Sequence, residues 1–131
     1  MRLTQEQIDG IVRRHLPKGW TLRIRKFPDG ARGMCSFRRR TIFLSRPIKT
    51  RADVFVFFHE VGHMRCQHWD TPNHISEYQA ERYAILAMRL EGIPVPRDEL
   101  RIAKQNVFRE VFEFERAGGR TDPVIKRWCR P

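Results

Sequence analysis

Apolar residues at the start of the chain recur at helical spacing: Leu3, Ile8, Ile11, Val12 and Leu16. Thr4-Gln5-Glu6-Gln7 has the form of a capping box, in which the Thr4 hydroxyl accepts from the Gln7 amide and the Gln7 side chain reaches back. Pro17-Lys18-Gly19 ends this helix. The period then falls to two. Thr21 to Phe27 alternates, with Leu22 and Ile24 on one face, which predicts a strand, and Pro28-Asp29-Gly30 predicts a turn. Met34 to Phe37 and Thr41 to Ser45 predict two further short strands. Arg38-Arg39-Arg40 falls between them, at a hairpin tip.

Helical patterning returns after Thr50, which can cap the next helix with Asp53 as its box partner. That helix, about 51–68, is apolar nearly all round and is therefore expected to be central and buried. Trp69 to His74 is a polar connection. A third helix is expected from about 75 to 91, with Gly92 at its C′ position and Pro94 and Pro96 preventing continuation. A fourth spans roughly 98–117. Leu100, Ala103, Val107, Val111 and Phe114 lie along one side, and Phe108 and Phe112 widen the stripe, so it is expected to cover the core. Gly118-Gly119 breaks it. Asp122-Pro123 has the form of an N-cap followed by proline at N1 and opens a short last turn. The expected fold is α+β: a small three-stranded sheet on a central helix, then further helices. The 131 residues suit a single domain, with a core at about 20–92 and a helical extension at 97–131.

Charge changes this picture more than composition does. The net charge is +11, and residues 1–50 carry 13 Lys/Arg against 3 Asp/Glu. Residues 51–96 carry 4 against 6. A basic N-terminal half suggests an acidic partner or nucleic acid; the plainer alternative is a solvated basic surface. Arg38-Arg39-Arg40 reads as a solvent-exposed turn, because no aromatic residue is interleaved for base stacking, with anion contact as the functional alternative. Cys35, Cys66 and Cys129 are odd in number and show no CxxC spacing, so they read as thiols in a reducing compartment. No secretory signal and no membrane-length apolar run is visible, and a cytoplasmic protein is expected.

The candidate chemistry sits at His59-Glu60-Val61-Gly62-His63, an HExxH motif that continues the most apolar stretch of the chain. On a helix, residues four apart project from one face, separated by roughly 6 Å of rise and 40° of rotation. Two imidazoles so placed can grip one zinc ion, and Glu60 can reach water at the metal without being a ligand, where a general base belongs. Two polar rings and a carboxylate on a buried helix also need partners, and a metal supplies one.

A catalytic zinc needs a third protein ligand and an open position. Downstream candidates are His68, Asp70, His74, Glu77 and Glu81. Cys66 and Trp69 stand where a glycine and a third histidine would be needed for the metzincin spacing, so that pattern fails. Cys66 could neighbour the site. Glu77 opens a separate helix and can approach from across the site, with His74 as the alternative. Glu81 lies one turn on and can accept the other ring N–H of a ligating histidine.

His59-Glu60-Val61-Gly62-His63 followed by Glu77-Tyr78-Gln79-Ala80-Glu81-Arg82-Tyr83-Ala84 resembles the gluzincin metallopeptidases, and more closely the ImmA/IrrE family of small zinc peptidases. The resemblance covers about residues 34–92. It implies a zincin-like fold, one zinc ion held by His59, His63 and Glu77, and Glu60 as the catalytic base. Glu81 stands where that family usually has Asn, no helix-turn-helix accompanies the peptidase part, and nothing after residue 97 matches. The family's members cleave repressor-type regulators, which implies a protein or peptide substrate, DNA-bound or acidic.

The expected activity is therefore zinc-dependent peptide hydrolysis. Tyr78, Tyr83, His68 and His74 are candidates for oxyanion or substrate contacts. Substrate is expected to add as a strand beside Thr41–Ser45. The rival expectation is a basic nucleic-acid-associated or partner-binding module on a zincin-like scaffold, with structural zinc and no turnover.

Overall fold

The structure, a computed structural model, describes residues 2–66 and 70–131. It is α+β, with five helices and a three-stranded mixed sheet among the described residues. In chain order the elements are α1 (Gln5–His15), β1 (Thr21–Ile24), β2 (Gly33–Ser36), β3 (Thr41–Leu44), α2 (Arg51–Arg65), α3 (Asn73–Leu90), α4 (Arg97–Arg116) and α5 (Pro123–Trp128). No described helix is long and apolar enough to cross a membrane.

Both expected capping boxes form. Thr4 and Gln7 bond each other's backbone amides, and so do Thr50 and Asp53. Asp122 caps α5 by accepting from the Val124 amide, with proline at N1.

The sheet order is β1-β3-β2. β3 runs parallel to β1 and antiparallel to β2. All four residues of β3 are buried, as a run of Ile42, Phe43 and Leu44 requires when both faces are covered. This corrects the expectation that substrate adds beside Thr41–Ser45. That strand is central and both of its edges are already paired, so the free edges belong to β1 and β2. The Arg38–Arg40 turn does connect β2 to β3 and is exposed, with Arg40 at φ 47°.

α2 fills the centre. Val54, Phe57, Phe58 and Val61 are wholly buried among α1, the sheet and α3. α3 packs closely against it at Gly62. A Cβ there would meet Cα and the carbonyl oxygen of Ala80 at 2.9 Å and Cβ of Tyr83 at 3.1 Å. Glycine is thus a spatial requirement that lets the two backbones approach.

The C-terminal helices belong to the same body. Ala103 of α4 joins the main core, while Val107, Val111, Ile125 and Cys129 form a second cluster. Phe108 and Phe112 correct the sequence expectation: they are 46% and 56% exposed and do not widen the buried stripe. The buried line of α4 is narrower, because α3 and α5 cover only its Ala103–Val107–Val111 side.

Asp53 secures the start of α2. Its buried carboxylate accepts from the Lys49 and Thr50 amides at 3.0 Å each and from Arg46 Nε at 2.7 Å. Burial alone would raise its pKa, but these bonds outweigh it and hold the carboxyl below its usual value. Asp53→Ala should cost about 1–3 kcal/mol in urea unfolding. A depressed pKa contributes stability above the unfolded value and loses it as pH falls. The difference between wild type and Asp53→Ala should therefore shrink on acidification through the carboxylate range.

Candidate metal centre

α2 and α3 bring four of the expected side chains to one point. Nε2 of His59 and Nε2 of His63 are 3.0 Å apart, their rings nearly perpendicular at 88°. Glu77 closes the third side. Its Oε1 is 3.0 Å from Nε2 of His63, and its Oε2 is 3.4 Å from Nε2 of His59. Ligand atoms each about 2.0–2.1 Å from one tetrahedral zinc would be roughly 3.3–3.4 Å apart. The observed spacings of 3.0–3.4 Å are close to that, with Glu77 meeting the two rings through different oxygens, and two imidazole nitrogens and a carboxylate form a donor set that suits zinc.

The far sides of both rings are also engaged. Nδ1 of His59 pairs with Oε1 of Glu81, which is buried, and Nδ1 of His63 lies 3.3 Å from Oγ of Ser76. With Nδ1–H donating to these oxygens, each neutral ring presents the Nε2 lone pair to the triangle. Glu81 thus meets the His59 ring on the side away from the triangle. Ser76 was not anticipated; its place immediately before Glu77, in the first turn of α3, was the only signal available.

Glu60 lies beside the triangle rather than in it. It also falls in a compact group with the two histidines, ligand atoms within 4.8 Å, but its Oε2 is 4.0 Å from Nε2 of His59, further than either Glu77 oxygen. The Glu77 carboxylate thus lies nearer to Nε2 of His59 than the Glu60 carboxylate does. Burial raises the Glu60 pKa against the opposing pull of both histidines. Burial likewise disfavours charge on Glu77, yet the hydrogen bond with His63 and the nearby His59, His63 and Arg109 hold its carboxyl below the usual range.

The triangle opens on a cleft of about 420 Å³. β2 forms one wall, through Gly33, Met34 and Cys35, and Ser76 and Glu77 form another. Cys66, at the C-cap of α2, also borders it. Burial and the charge of Glu60 push the Cys35 thiol up to about 12, so it stays protonated and is a poor ligand or nucleophile at neutral pH.

The other candidates are placed elsewhere. His74 is 2% exposed and lies against the Phe114 ring, with centroids 4.3 Å apart, so it is a packing residue of α3 and α4. Tyr78 packs edge-on against Trp128 in the second cluster. Tyr83 packs on the main core behind Gly62. These three differ from the expected substrate contacts: Tyr83 is turned to the opposite side of α3, while His74 and Tyr78 are taken up by Phe114 of α4 and Trp128 of α5, which pack along the helix beside the Glu77 face. Asp70 is exposed, and His68 lies outside the described residues.

Two predictions follow from this geometry. Glu77→Ala should weaken zinc binding more than any other single change on α3, whereas Glu81→Ala should weaken it by about 10- to 100-fold and Glu81→Gln by less, since the amide oxygen still accepts from Nδ1–H. Competition with a chromophoric chelator measures both. Without metal, burial opposes a proton on His59, but the hydrogen bond to Glu81 and the charges of Glu81, Glu60 and Glu77 outweigh it and raise the pKa from 6.5 to about 9. A metal ion bound at Nε2 would have to displace that proton, so apparent zinc affinity should rise with pH up to about 9 and level off above it. An affinity independent of pH over that window would contradict the assignment.

Comparison with protein-family models, with curated proteins and with solved structures found no match to this chain.

Proposed function

We propose that the protein is a zinc-dependent metallopeptidase of zincin-like architecture, similar to the gluzincins and to the ImmA/IrrE peptidases. The observation that carries the proposal is the convergence of His59, His63 and Glu77 on one point, with Glu60 beside it and a cleft on the remaining side. A purely structural zinc site is closed and has no use for a fourth, stand-off carboxylate, whereas hydrolysis needs both an open position and a base.

In this reading His59, His63 and Glu77 hold the ion, and Glu81 and Ser76 keep the two rings turned towards it. Bound zinc supplies a Lewis acid that acidifies water and polarises a carbonyl. Glu60 accepts the proton of the attacking water and returns it to the departing amine as the C–N bond breaks, so the proton count closes. Its buried setting, which raises its pKa, suits it to both halves of that task. The free edge of β2 borders the cleft, so an extended peptide is expected to pair with Gly33–Ser36. The basic N-terminal half favours an acidic or DNA-bound regulatory protein as substrate.

The exposed Arg38–Arg40 turn keeps a second reading in play: a nucleic-acid-associated module on the same scaffold, without turnover. Glu60→Gln should retain zinc and lose about 100- to 10,000-fold in cleavage of an unfolded protein substrate. Equal cleavage by both proteins would remove Glu60 from the mechanism. Absence of cleavage by wild type, together with duplex DNA binding that falls steeply with salt, would favour the second reading.

A further inference from the structure

Gly33 opens β2 with its backbone directly against the side chain of Glu60. A Cβ at Gly33 would lie 3.0 Å from both Cγ and Oε2 of Glu60, and 3.2 Å from Cγ1 of Val56. This glycine is present for space rather than for an unusual φ, since it is absent from the positive-φ positions. The strand backbone is therefore one wall of the compartment that holds the Glu60 carboxylate.

That wall is itself anchored from the C-terminal part of the chain. The carbonyl of Arg32 accepts from the Ser45 amide at 2.9 Å, joining the residue before β2 to the end of β3. The Arg32 guanidinium meets Glu99 in a two-pronged pair, Nη1 to Oε1 and Nη2 to Oε2, both at 2.7 Å. Glu99 is only 6% exposed and sits in the first turn of α4, where the helix dipole also favours its charge. Behind Glu60 is a cavity of about 140 Å³ bordered by Arg32, Gly33, Glu60, Glu81 and Glu99. The Arg32 guanidinium, the His59 ring and three buried carboxylates thus share a single small space. Glu99 commits the guanidinium to α4.

We propose that Arg32 and Glu99 are positioning residues for Glu60: their pair clamps α4 to the start of β2, presses Gly33 against Glu60, and keeps the guanidinium away from the carboxylates of the site. The proposal rests on Glu60 being the base, and gives α4, which lies beyond the two motifs, a role in the chemistry. It places neither residue in contact with substrate or metal.

The full chain, loaded with zinc, is tested as Glu99→Gln, Arg32→Gln, the double variant and Gly33→Ala. Cleavage of a dye-labelled denatured casein gives kcat and KM, and atomic absorption gives zinc content. Each single variant should lower kcat by about 10- to 100-fold, the cost of displacing a reacting group by about an ångström. KM should stay within about twofold and zinc content should not change. The double variant should be no slower than the worse single one, because both break the same pair. Independently of activity, a nuclear Overhauser contact between the Gly33 Hα and Glu60 Hγ protons should be present in wild type and lost in Glu99→Gln. Unchanged kcat, additive losses, a fall in zinc content parallel to activity, or persistence of that contact in Glu99→Gln would each overturn the clamp. If wild type cleaves nothing, the peptidase reading fails, and the Overhauser contact alone decides whether the pair positions Glu60.

Discussion

The absence of a side chain at Gly62 is the constraint on which the site depends. The Ala80 backbone of α3 lies 2.9 Å from where a Cβ of Gly62 would be, so the two helices meet nearly backbone to backbone. At that separation, His59 and His63 on α2 reach Glu77, Ser76 and Glu81 on α3 with ordinary side-chain lengths. Any larger residue at position 62 or 80 would separate the helices and open the triangle. The small residues between the polar ones, Gly62 on one helix and Ala80 and Ala84 on the other, are therefore as much part of the site as its polar atoms.

Burial of charge explains much of the remaining arrangement. Asp53, Glu60, Glu81 and Glu99 are all nearly inaccessible. A buried carboxylate is costly unless hydrogen-bonded or paired. Asp53 is satisfied by a helix start and Arg46, Glu99 by the fork of Arg32, and Glu81 by His59. Among the described residues the ion pair of Glu60 is looser, with its Oε2 4.0 Å from Nε2 of His59. A carboxylate kept buried with so little compensation is held at a cost in stability.

Patterning alone placed all five helices and all three strands, with ends displaced by a few residues. The capping boxes at Thr4 and Thr50 and the Asp122-Pro123 start were legible because they are local, depending on side chains three residues apart. The pair of α3 carboxylates was legible for a related reason: a spacing of four on a helix fixes a common face. Facing across the molecule was not legible. Tyr78, Tyr83 and His74 lie on the same helix as Glu77 and are equally suited to hydrogen bonding, yet they point to Trp128, the main core and Phe114. Nor could chain order show that β3, the last strand, would lie between the other two.

His59, Glu60 and His63, the helix that carries them, and the suitability of Glu77 and Glu81 as their partners follow from the sequence by itself, since helical geometry converts spacing into direction. Tertiary structure decided which strand edge borders the cleft, which polar residues of α3 are packing, that Ser76 meets His63, and that Arg32 and Glu99, 67 residues apart, close on each other beside Glu60. These depend on contacts between elements whose relative placement is set by the packing of the whole core, and no periodicity in the chain encodes them.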